Sequence, residues 1–255
     1  MSGLIGVEWR GGNKLGDRLC RISLFENYYK NTGDKLIDLI GMEYTKYNPY
    51  VLQISDIHPN TLSRIEKRCL WNYPPRAVPF DSFKTMAHEV CARWDLPVCY
   101  LNRSRLYKYE DSIKFPRSLV INTTGRGHGA IPLHVIKHIR EAYKNYTIIQ
   151  IGGLTDIDAG ADLDRRGCDF WESAKYMSEC EIAIIPDSFC YWLSKCYRMH
   201  RKVILTNLSA ENCEKFLPRG YHIDNWEQDW WLELDAEFYN IYEQDFGITK
   251  SYLSI

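Results

Sequence analysis

Residues 118–143 of this 255-residue chain read SLVINTTGRGHGAIPLHVIKHIREAY. An apolar strand runs into a Thr-Thr-Gly-Arg-Gly-His-Gly loop, and the loop leads into a stretch whose apolar residues recur at helical spacing. A strand, a glycine-rich loop and an amphipathic helix in this order open a parallel βαβ unit. The pattern points the chain toward an α/β fold. It also predicts that Thr123, Thr124, Gly125, Arg126, Gly127, His128 and Gly129 surround the positive end of a helix, where backbone N–H groups bind phosphate.

The alternation extends along the chain. Residues 4–9 read as a strand, 11–16 as a loop and 17–29 as a helix; 35–40 and 51–55 read as short buried strands. Asp81 is placed to cap a helix over 82–94, and 96–101 returns as a strand. The polar stretch 102–117 reads as a boundary, giving an expected first Rossmann-like domain over 1–115 and a second over 116–255. In the second, strands are expected at 118–122, 147–151, 181–185 and 202–206, with helices at 131–144, 170–179 and 188–199. The tail 224–245 carries eight acidic residues with Trp226, Trp230, Trp231, Phe238, Tyr239 and Tyr242. It reads as a helical cap laying its aromatics on the body, or alternatively as a protein-contact surface.

Composition narrows the class. The chain is 45% hydrophobic, as a globular protein is, and holds no run of eighteen apolar residues. With no basic-then-apolar N-terminal pattern, a soluble cytoplasmic protein is expected. Nine cysteines, an odd number without CxxC spacing, fit a reducing compartment better than a disulfide frame or a zinc site. Residues 1–115 carry 17 Lys and Arg against 13 Asp and Glu, whereas 116–255 carry 15 against 20. The first half is thus the expected face for an anionic partner.

The 123–129 loop lacks the Gly-Lys-Ser/Thr of a Walker A loop. Its glycines at 125, 127 and 129 also miss the gap of a dinucleotide fingerprint, although Asp156 follows the next strand, near where a ribose-binding acid sits. A diphosphate cradle and a plain turn are the other readings. Asp187 and Ser188 end an apolar strand, and either project into a ligand crevice or cap the following helix. Asp17 is a favourable charge at a helix start or a general base. Asn13 and Lys14, beside it, are assigned with Arg64, Arg68 and Trp71 to the acceptor. Arg64, Lys67, Arg68, Trp71, Tyr73 and Arg76 interleave cations and rings, as a solvated surface does, or as a platform for a phosphorylated or stacked acceptor such as nucleic acid. His134 and His138 are spaced i, i+4 with no evident carboxylate or cysteine partner, so no metal site is expected.

Leu15-Gly16-Asp17 before a helix, a strand ending in Thr123-Thr124, and Asp187-Ser188 together resemble the ADP-heptose:lipopolysaccharide heptosyltransferases. These are metal-independent, inverting glycosyltransferases of GT-B fold. The three places are similar to that family's N-terminal Gly-Asp, its Thr-Thr diphosphate loop and its Asp-Thr-Gly turn. Arg126 or His128 stands in for a lysine expected beyond the Thr pair, Phe189 replaces the turn's glycine, and Trp192 lies near the place of a missing histidine. The resemblance implies two Rossmann-like domains facing a cleft, with a nucleotide-diphosphate sugar held on the second by residues 123–128, Asp187 and Ser188; Asp156, near the place of a ribose-binding acid, is assigned to the same donor. It implies Asp17 as the base that deprotonates an acceptor hydroxyl, with no cofactor or metal. The acceptor would be a glycan such as lipopolysaccharide core, a protein, or a hydroxymethylated DNA base, the last favoured slightly by the basic-aromatic segment at 64–76. An NAD(P)-dependent oxidoreductase using 125–129 and Asp156, or a non-catalytic module binding nucleotide sugar or nucleic acid, are the competing readings.

Overall fold

A computed structural model describes residues 4–8, 15–19, 21–69, 86–99, 101, 104–125, 129–131, 133–186, 188–197, 199, 201–206 and 236–240. Near the N-terminus, short apolar runs become strands β1 (Ile5–Glu8), β2 (Leu36–Asp38) and β3 (Val51–Gln53), joined by β4 (Glu66–Cys69). They form an all-parallel sheet in the order β3-β2-β1-β4. Parallel neighbours need crossovers. Helices α1 (Leu15–Leu19) and α2 (Ser23–Thr32) carry the chain from β1 to β2, and α3 (Pro59–Leu62) precedes β4. Leu19, Ile22, Leu24 and Phe25 are buried. α2 stops at Gly33, whose positive φ of 76° lets its N–H cap the Tyr29 carbonyl at 2.8 Å. Helix α4 (Met86–Arg93) packs against α2.

The second sheet is built around β5 (Phe115–Ile121), whose last four residues are fully buried. A short antiparallel pair, β6 (Thr124–Gly125) and β7 (Gly129–Ala130), precedes α5 (Leu133–Ala142). Then follow β8 (Thr147–Gly152), β9 (Leu163–Arg166), α6 (Phe170–Glu179), β10 (Cys180–Pro186), α7 (Phe189–Cys196), β11 (Arg201–Thr206) and β12 (Ala236–Asn240). The sheet is parallel throughout, in the order β12-β11-β10-β5-β8-β9. Counted within this sheet, that is the doubly wound order, and the winding reverses between β5 and β10. Leu119, Ile121, Ile148, Ile182 and Ile184 from the strands meet Val135, Ile136 and Ile139 of α5 in one core cluster. Described residues up to Lys108 form one compact unit and those from Tyr109 onward another.

Several expectations are corrected. The helix over 17–29 is two helices, because i→i−3 bonds from Arg21, Leu24 and Phe25 tighten the chain between them. Residues 96–99 are not a strand. Leu96 N–H closes α4 on the Cys91 carbonyl, Pro97 has no N–H for a ladder, and its carbonyl accepts the Asn27 side chain at 2.8 Å. Part of the basic stretch is strand β4, whose charges suit an edge: Lys67 pairs with Glu8 and Arg68 with Glu66. The glycine-rich loop does not open directly into a helix. Thr124 pairs with Ala130 and Gly125 with Gly129, and buried Ile131 returns its N–H to the Thr123 carbonyl at 2.8 Å, so α5 starts only at Leu133. In the tail, Ala236–Asn240 is not helical but the edge strand β12, in register with Lys202–Thr206 of β11. The edge strand β9 was also not expected.

Candidate functional site

At the C-terminal ends of β5, β8 and β10 the apolar runs give way to small and polar residues. Asn122 and Thr123 follow β5, Gly152 closes β8, and Ser188 caps α7 just past β10. In doubly wound sheets, ligands bind beyond these strand ends, at the place where the winding reverses.

Asn122, 1% exposed, is the hub. Its Nδ2 donates to the Ile151 carbonyl and to Asp156 Oδ2, both at 3.1 Å. Its Oδ1 accepts the Ser188 hydroxyl at 3.4 Å, while Ser188 Oγ accepts the Cys190 N–H at 3.2 Å as the helix cap. Asp156 Oδ2 also accepts the Gly153 N–H at 2.9 Å. Gly152 makes this approach possible: at its φ of +130°, an added Cβ would meet Asp156 Oδ2 at 2.2 Å and Asn122 Nδ2 at 2.4 Å.

Thr123 faces inward. Its hydroxyl donates to the Ile157 carbonyl at 2.6 Å, and Gln150 Nε2 reaches both that carbonyl (2.7 Å) and the Thr123 hydroxyl (3.2 Å). Gln150 Oε1 takes the Ala159 N–H at 2.7 Å. A buried amide thus shapes the 153–159 loop from below. The Thr124 hydroxyl oxygen is buried without a hydrogen-bond partner among the described residues, and Gly125 is buried. On β9, Arg166 forks onto Asp164 and donates to the Asp156 carbonyl at 2.8 Å, tying the same loop to the sheet edge. The Arg166 guanidinium holds the Asp164 carboxyl down at about 2. Burial pushes the Cys190 thiol above its ordinary range, making it a packing group and not a nucleophile.

Of the expected donor residues, Asp156 and Ser188 are therefore brought together through Asn122, Thr123 turns its hydroxyl inward to the Ile157 carbonyl, and Thr124 and Gly125 lie on the adjoining hairpin. Arg126, Gly127, His128 and Asp187 lie outside the described residues. Asp17 is the third residue of α1, which begins at Leu15, and its side chain is outside what is described. Asn13, Lys14 and Trp71 are also outside; Arg64 is exposed in the turn before β4, and Arg68 lies on β4. Sequence reasoning missed Asn122 and Gln150. Each is a carboxamide at or near the end of an apolar strand, where an unpaired amide would be costly, and that was the available signal.

Among the described residues, no group of three or more His, Cys, Asp or Glu could hold a metal, and no helix is long and apolar enough to cross a membrane. No family model and no curated protein sequence matches this chain. Solved structures do. The ADP-heptose lipopolysaccharide heptosyltransferase II of E. coli superposes with a TM-score of 0.63 at 11% identity, over 98% of this chain and 97% of that one. The iron-containing, dodecameric heptosyltransferase TibC of enterotoxigenic E. coli, in complex with ADP-D-beta-D-heptose, superposes at 0.58 and 17% identity. That match covers 88% of this chain, which spans only 62% of TibC's length. A glycosyl transferase family 9 protein of Veillonella parvula gives 0.57 at 11% identity, over 98% and 92% of the two chains. The chain has the parallel-sheet α/β fold of these GT-B-type glycosyltransferases.

Proposed function

We propose that this protein is a glycosyltransferase that moves a sugar from a nucleotide-diphosphate donor to an acceptor hydroxyl. The observation that carries the reading is the polar cluster of Asn122, Asp156 and Ser188 at the winding reversal of a sheet whose fold is that of three glycosyltransferases. The diphosphate would meet the hairpin of β6 and β7 and the start of α7, where the helix dipole favours negative charge. Arg126 or His128 would add a cation to the leaving group, so the transfer proceeds without a metal. The hairpin between Gly125 and α5 disfavours the NAD(P) alternative, whose pyrophosphate needs the glycines at the helix start itself.

Asp17 is assigned as the base. It takes the acceptor hydroxyl's proton as that oxygen attacks the anomeric carbon opposite the departing diphosphate, which inverts the configuration. A glycan hydroxyl such as that of a lipopolysaccharide core is favoured over DNA, because Lys67 and Arg68 already pair with Glu8 and Glu66 and offer less to a phosphate backbone. Buried free thiols at Cys91, Cys99, Cys180 and Cys190 support a reducing, cytoplasmic setting.

The test is release of nucleoside diphosphate from ADP-, UDP-, GDP- and CDP-sugars with a lipopolysaccharide-core acceptor in excess EDTA, with the product anomer read by NMR. Turnover with inversion is expected, and Asp17→Asn should lower kcat by about 10²–10⁴-fold. No turnover of any donor, or turnover only with added metal, contradicts the reading.

A further inference from the structure

Asn122 does more than satisfy its own polarity. The Ile151 carbonyl can only accept, so the amide nitrogen must face β8, and the amide oxygen is left facing Ser188. Every hydrogen-bonding edge of the amide is then committed: one N–H to the backbone of β8, the other to Asp156, the oxygen to the α7 cap. Asp156 is fixed asymmetrically as a result. Its Oδ2 accepts both Asn122 Nδ2 and the Gly153 N–H, while Oδ1 makes no hydrogen bond among the described residues. The residue is only half-buried and follows the second strand of the unit, adjacent to β5. One carboxylate oxygen is thus anchored twice and the other is open to a ligand, in the position where an acid meets a ribose in doubly wound sheets.

We propose that Asn122 is a positioning residue for the donor, aiming the open oxygen of Asp156 at the vicinal diol of the nucleotide's ribose while holding the Ser188 cap beside it. This rests on the nucleotide-sugar reading above. A carboxamide is required because it alone presents two donors toward β8 and an acceptor toward Ser188. The isosteric Asn122→Asp would set a carboxylate against Asp156 at hydrogen-bond distance. Two such groups cannot both stay ionised, so that variant should work only where one of them is protonated.

The experiment is calorimetry of ADP and 2′,3′-dideoxy-ADP binding to the full chain, at about pH 7.5 and about pH 5, with thermal melts of each variant. The wild type should prefer ADP by about tenfold or more, the scale of a hydrogen bond to a charged group. Asn122→Asp should lose that preference at the higher pH and regain it at the lower, a reversal that a merely structural role does not produce. The swapped pair Asn122→Asp with Asp156→Asn removes the repulsion between the two carboxylates and should show no such pH dependence, while the oxygen it leaves against the Ile151 carbonyl should lower its melting temperature. A wild type that binds ADP and dideoxy-ADP equally overturns the inference, as does Asn122→Asp with an unchanged preference at both pH values. Those results leave the functional reading intact. A wild type that binds none of ADP, UDP, GDP or CDP overturns both.

Discussion

The two parallel sheets share one winding but finish their C-terminal edges differently. In the first sheet, the described edge residues spend their polar groups locally. Asp38, fully buried, accepts the N–H groups of Ile40, Gly41 and Met42 and the Thr45 hydroxyl, closing its own turn, and Glu8 pairs with Lys67 on the neighbouring strand. In the second sheet, the edge polar groups bridge separate segments: Asn122 joins β5 to β8 and α7, and Gln150 joins β8 to the 153–159 loop. A turn that bonds to itself is stable but offers a ligand little. A network that ties three strand ends together leaves open valences, such as Asp156 Oδ1, in fixed places. Preorganisation of this kind, more than area, is what makes a binding site.

The largest test of that difference is Gly152→Ala. The new methyl collides with both Asp156 and Asn122 in a backbone conformation that side chains rarely adopt. A loss of about 2–4 kcal/mol is expected in urea unfolding. A change below about 0.5 kcal/mol, the range of neutral surface substitutions, would mean the network is soft.

Next in size is Gln150→Leu, which keeps volume but strands the Ala159 N–H. It should cost about 1–3 kcal/mol, the penalty of an unsatisfied buried group, and should raise hydrogen exchange in residues 153–159. An unaffected loop would show that β8 does not shape it.

The smallest effect belongs to the first unit. Burial of Glu26 pushes its carboxyl up, but Lys30, the Tyr107 hydroxyl and Arg105 outweigh it and hold the group below its ordinary value. The sign follows: this stability is present above the unfolded-state pKa and is lost as pH falls through the lowered, folded-state one. Glu26→Gln should cost about 1 kcal/mol near neutrality and nothing in acid. A cost that persists in acid would make Glu26 a packing residue.

The fold was legible because continuous apolar strand runs and helical spacing survive in most elements, and all strands inside the second sheet were read. What was missed lay on edges. β4 and β9 carry charge, and β12 carries acids and aromatics that read as amphipathic helix, because an edge strand needs only one ladder and tolerates solvent-facing charges. The hairpin at 124–130 was hidden by its glycines, which fit a phosphate loop and a tight turn equally well. In the candidate cluster, Asp156 and Ser188 follow strand ends and could be named from the sequence. Asn122 stands out in the sequence only as a carboxamide ending an apolar strand, because its role depends on which strands become neighbours, and that is set by the winding of the whole sheet.

In the function proposed above, the second sheet's C-terminal edge, and not the first's, holds the nucleotide. Hydrogen exchange on the full chain with and without saturating ADP reads both edges at once. Slowed exchange is expected in residues 122–131, 152–158 and 188–190, with no change at 36–46. Protection confined to 36–46, or none at the second edge while ADP is bound, would contradict it.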